Sequence, residues 1–84
     1  MTAIPETRTR YLALQQEADF ALWRAREVNA ETRRCYDRHL SGECPAPTAA
    51  QLEEVRQLEL QAEEKYRALR SFLREHFEQL TLAA

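Results

Sequence analysis

Eighty-four residues carrying a net charge of −2, with 31% charged and 44% hydrophobic side chains, hold one domain at most and are short of core. That balance is too apolar for a disordered tail, too charged for a membrane protein, and too acidic for a general nucleic-acid-binding surface. The apolar stretches fall far below the ~20 residues that span a bilayer, and no basic segment followed by an apolar one opens the chain, so a cytoplasmic location is expected.

Helix character begins near Pro5, which a first turn tolerates because its missing N–H would have no partner there. Thr2 and Thr7 compete as the cap. From about residue 5 to about residue 40 the chain is rich in Ala, Arg and Glu, all good helix formers. Eleven arginines stand against the single Lys65, which with the many alanines points to a GC-rich bacterial genome and says nothing of mechanism. Leu14, Ala18, Ala21, Ala25, Val28, Thr32, Cys35 and His39 recur at alternating steps of four and three, the spacing that keeps one stripe against a partner helix. Its members are mostly small, so flanking Tyr11, Leu22, Tyr36 and Leu40 are expected to supply area. Leu12, Phe20 and Trp23 fall on the far side, close to whole turns apart. A single exposed apolar residue means little, but three aligned ones form a second contact surface.

Residues 41–48, Ser-Gly-Glu-Cys-Pro-Ala-Pro-Thr, hold the only glycine and two of the three prolines. Gly42 suits the left-handed conformation that ends a helix, and Pro45 and Pro47 forbid continuation. Thr48 with Gln51 has the spacing of a capping box, which starts a second helix at Ala49 and carries it to about residue 80. Its seam is Leu52, Val55, Ala62, Tyr66, Leu69, Leu73, His76 and Leu80, with Glu59 as the polar exception and Leu58, Phe72 and Phe77 widening it. Charges at helical spacing, such as Glu63 with Arg67 and Glu27 and Glu31 with Arg34 and Arg38, permit ion pairs on the outer face.

The expected fold is all-α: one domain over 1–84, a coiled-coil-like antiparallel hairpin of two helices (5–40 and 49–80). Folding back sets the crowded end of helix 2 beside Leu12, Phe20 and Trp23. A large side chain is worth roughly 1.5–3 kcal/mol when fully buried, so a homodimer forming a four-helix bundle is the simplest way to cover Leu12, Phe20, Trp23, Tyr66, Phe72, Leu73 and Phe77. The expectation is a non-enzymatic protein-interaction module: an adaptor, a regulator or a chaperone-like protein.

Cys35, His39 and Cys44 form the one constellation with chemical potential. Thiolate and imidazole are zinc-type ligands, and a turn beside a helix end could gather three. Their spacing matches no standard structural zinc pattern, no fourth Cys or His is near, and neither metal nor cofactor is expected. A Cys35–Cys44 disulfide is the other option, disfavoured in a reducing compartment. The plain alternative makes Cys35 a small seam residue, His39 a boundary residue and Cys44 a turn thiol. Catalysis lacks a phosphate cradle, a nucleophile elbow, a zincin pattern and the Glu-x-x-His of di-iron bundles, since Tyr36 and Leu73 precede the two histidines by three. Nucleic-acid binding is the competing reading: Arg67, Arg70 and Arg74 follow one side of helix 2, and Arg24, Arg26, Arg33, Arg34 and Arg38 lie on helix 1. Acidic residues interrupt those rows on almost every turn.

Overall fold

A computed structural model of the chain describes residues 3–82. Helix α1 spans Ala3–Leu40, α2 spans Ala49–Glu75, and a short α3 covers Phe77–Leu82. The two long helices lie antiparallel against each other in a rod of 63 × 18 × 14 Å, and the described residues contain no strand.

The hairpin is made by backbone chemistry at both ends of the connector. Gly42 takes φ +81°, a conformation costly for a residue with a Cβ. It lets the Glu43 N–H donate to the Arg38 carbonyl at 2.9 Å and the Gly42 N–H to the His39 carbonyl at 2.9 Å. Those two bonds form a Schellman motif and satisfy carbonyls that the end of α1 would otherwise leave bare. At the far side, the Thr48 hydroxyl accepts from the Gln51 N–H at 3.1 Å while the Gln51 side chain accepts from the Thr48 N–H at 2.7 Å. The capping box is complete, and α2 starts at Ala49.

Between these ends the seam is narrow. Among the described residues the buried hydrophobic ones are Leu14, Ala18, Ala25, Val55, Leu58, Ala62 and Leu69, of which three are alanines. Leu14, Ala18 and Leu69 form the centre, with Tyr11, Tyr66, Phe72 and Leu73 packed against it. Alanine at Ala18, wholly shielded, and at Ala25 and Ala62 lets the helix axes approach closely while burying little area per contact. Thr32, half-buried in the same seam, bonds its hydroxyl to the Val28 carbonyl at 2.9 Å, so its polarity is satisfied within its own helix.

Several expectations are corrected. Helix α1 begins at Ala3 rather than Pro5; Thr7 therefore lies inside it and is no cap, and Thr2 lies outside the described residues. Leu52 is exposed and Leu58 is buried: the buried stripe runs Val55–Leu58–Ala62 and leaves Leu52 and Glu59, which also fit the three-and-four spacing, on the outside. Tyr36 and Leu40, expected to thicken the seam, are 41% and 80% exposed. The second helix does not run unbroken to residue 80. It ends at Glu75, with His76 at φ −115° and ψ 20° before α3. Hydrogen bonds of helical spacing flank the break, from the His76 N–H to the Phe72 carbonyl and from the Leu80 N–H to the His76 carbonyl, both 3.0 Å. No Gly or Pro stands there, and nothing in the local sequence accounts for the break.

Candidate interaction surface

The residues expected to make a second contact surface separate into two sets. Phe20 is 62% exposed, Trp23 57%, Phe77 65% and Leu12 44%. Phe20 and Trp23 sit one turn apart on the back of α1 with ring centroids 6.0 Å apart and planes tilted by 32°, a favourable aromatic pairing that still leaves both rings facing water. Leu12 lies nearer the edge of that helix, where it lines a groove with Tyr11, Leu73, Phe77 and Leu80. Tyr66, Phe72 and Leu73 are instead half-buried and packed on the Leu14–Ala18–Leu69 core. They serve the hairpin's own seam first.

Exposed large hydrophobic residues also occur toward the turn: Tyr36, Leu40, Leu52 and Leu60. The uncovered apolar surface is therefore not confined to the open end. Leu60 carried a signal in the sequence, since it lies off the Val55–Leu58–Ala62 stripe and has no seam to join.

Polar links fix the register of the two arms. The Thr7 hydroxyl donates to the Gln79 side chain at 2.7 Å, tying the start of α1 to α3. The Tyr66 hydroxyl donates to the Asp19 carboxylate at 2.5 Å. That bond, then partial burial and the Asp19 charge, push the phenol above its ordinary value, with Arg26 opposing. Lys65 and Glu17 approach to 3.6 Å, each about half exposed. Among the described residues this interhelical pair is the only ion pair; the same-helix pairs that the spacing of Glu63, Arg67 and their like permits do not form. An exposed pair gains so little, about 0–1 kcal/mol, that side-chain freedom competes with it.

At the turn the structure brings Cys35, His39 and Cys44 together, but through backbone. The His39 Nδ1–H donates to the Cys44 carbonyl at 3.0 Å, the tautomer being set by a partner that can only accept. The Cys44 thiol donates to the Cys35 carbonyl at 3.6 Å, and the Cys35 thiol to the Pro45 carbonyl at 3.8 Å. Burial pushes the Cys44 thiol above its ordinary value, the neighbouring Cys35 adds to this, and Arg38 works against it. Both cysteines are free and half-buried. Among the described residues no group of three or more His, Cys, Asp or Glu side chains is placed to hold a metal ion; His39 turns one ring nitrogen to the backbone. His76 stacks near Phe72, centroids 4.3 Å apart, in the other half of the hairpin.

The arginine rows at Arg67, Arg70 and Arg74, and at Arg24, Arg26, Arg33, Arg34 and Arg38, are exposed. Arg26 and Arg70 border a groove together with Glu59 and Glu63, so positive and negative groups share one lip. Among the described residues no helix is long and apolar enough to cross a membrane. Set against family models, curated proteins and solved structures, the chain matches none of them.

Proposed function

We propose that this protein is a small, non-enzymatic, cytoplasmic interaction module that homodimerises through its uncovered apolar faces, two hairpins forming a four-helix bundle that then serves as an adaptor, regulator or chaperone-like partner. The observation that carries this reading is the exposure of Leu12, Phe20, Trp23 and Phe77 beside a core in which, among the described residues, three of the seven buried hydrophobic side chains are alanine. The hairpin exposes 6684 Å², whereas a compact monomer of its mass exposes about 5,200 Å². The surplus of about 1,500 Å² exceeds the ~800 Å² that each partner gives up in a standard interface. A second copy is the simplest cover, because a two-fold axis lets one patch meet itself.

Light scattering at micromolar concentration tests it. The wild-type chain is expected at twice its sequence mass and Trp23→Glu at the single mass, with helicity retained because Trp23 takes no part in the seam. A wild-type chain that scatters as a single copy, or a Trp23→Glu and Phe77→Glu double variant that keeps the doubled mass, contradicts the reading.

A further inference from the structure

Two thiols, Cys35 near the end of α1 and Cys44 in the connector, play no part in the proposed interaction. Cys44 bonds to the carbonyl of Cys35 itself, and Cys35 bonds to the carbonyl of Pro45, the residue next to Cys44. Each sulfur thus reaches into the other's stretch of backbone. The loop between them is not slack: the Schellman bonds end α1 at one side, His39 grips the Cys44 carbonyl, and Pro47 is buried against the helices.

We propose that Cys35 and Cys44 are a reversible oxidation site, joined into an intramolecular disulfide by exchange with a low-molecular-weight disulfide, R–S–S–R. In the first step one cysteine thiolate attacks a sulfur of the reagent. The R–S–S–R bond breaks, RS⁻ leaves, and a mixed disulfide forms on the protein. In the second step the other cysteine thiolate attacks the protein sulfur of that mixed disulfide. The second RS⁻ leaves and the Cys35–Cys44 bond forms. Two cysteine sulfurs are oxidised, the reagent is reduced to two thiols, and the two cysteine protons end on the leaving groups.

Access is open. Both cysteines border a surface cavity of about 480 Å³ with Arg34, Arg38, Glu31 and Glu54, roomy enough for a small disulfide to reach sulfur. Closure needs little rearrangement, because each thiol already sits within 3.8 Å of a backbone carbonyl of the other cysteine or its neighbour; the mixed disulfide is resolved faster than it accumulates. The bond would pin the connector to the last turns of α1 without touching Phe20, Trp23 or Phe77, so it is separable from dimerisation.

The experiment treats the reduced full-length chain with oxidised glutathione, quenches in acid, and reads intact mass without reductant. The expected product has the single-chain covalent mass less about 2 Da, the two hydrogens lost. It has no thiol left to alkylate and yields a peptide linking Cys35 to Cys44 on digestion. Cys44→Ser and Cys35→Ser should each stop at a stable glutathione adduct on the remaining cysteine. Wild-type protein that retains glutathione, forms disulfides between chains, or stays reduced overturns the proposal. So does digestion without the Cys35–Cys44 peptide.

Discussion

At the residue scale, stability resides in a few side chains. Leu69 is buried against Leu14 and Ala18 at the centre of the seam, so Leu69→Ala should cost about 2–4 kcal/mol by leaving a cavity that rigid helices cannot close. Phe20→Ala, measured in the same urea titration at a concentration where the chain is single, should change stability by less than about 0.5 kcal/mol, because an exposed ring has no such cavity to leave. Tyr66 gives a pH test. Its phenol is pushed up, chiefly by its bond to Asp19, so the folded state favours the protonated form more than the unfolded chain does. That contribution is fully present below the ordinary tyrosine value of about 10 and is lost as pH climbs past it. Thermal melts should show a steeper alkaline decline for the wild type than for Tyr66→Phe; equal declines would contradict the assignment. The steps of three and four made Leu14, Ala18, Ala25, Val55, Ala62 and Leu69 legible in advance. Leu52 and Leu58 were harder, since both are leucines near the stripe, and only the register with α1 decides which turns inward. Asp19 with Tyr66 and Thr7 with Gln79 were not legible, because pairing across two arms depends on that same register.

At the scale of elements, the connector was the most readable part of the chain. Its chemistry is local, and local rules fix it: Gly42 ends α1, and Thr48 with Gln51 starts α2. Thr48→Ala should destabilise the hairpin by about 0.5–2 kcal/mol, as loss of a helix cap does. Gly42→Ala should cost about 1 kcal/mol through backbone strain alone, because no atom lies within 4 Å of where a Cβ would sit. Gly42→Asn should cost less, since asparagine enters the left-handed region more readily. Denaturation midpoints of the three variants check the order; Asn worse than Ala would show that shape, not φ, governs the site. The break at His76 was hidden for the opposite reason. Leu73, His76 and Leu80 continue the heptad spacing, and propensity carries no mark of the turn at ψ 20°.

For the whole molecule, geometry limits what a lone hairpin can hide. Two helices share one stripe, and a rod 63 Å long and 18 × 14 Å across leaves most of each cylinder in water. The hairpin itself could be read from the sequence because breaker residues and seam periodicity agree. The surface was only partly legible: Trp23 and Phe20 stand off the seam on a helical wheel and Tyr66 and Leu73 fall on it, whereas Phe72 lies one position off that rhythm and still packs on the core. A partner's identity leaves no mark in helix periodicity. The most direct test of the central claim, that a second copy covers Trp23 and its neighbours, is sedimentation equilibrium with fluorescence over a dilution series. Trp23 is the sole tryptophan, so its emission reports that patch alone. The account predicts a doubled mass with shielded emission at high concentration, both giving way together to single mass and solvent-exposed emission on dilution. A single mass throughout, with emission unchanged by concentration, would contradict it.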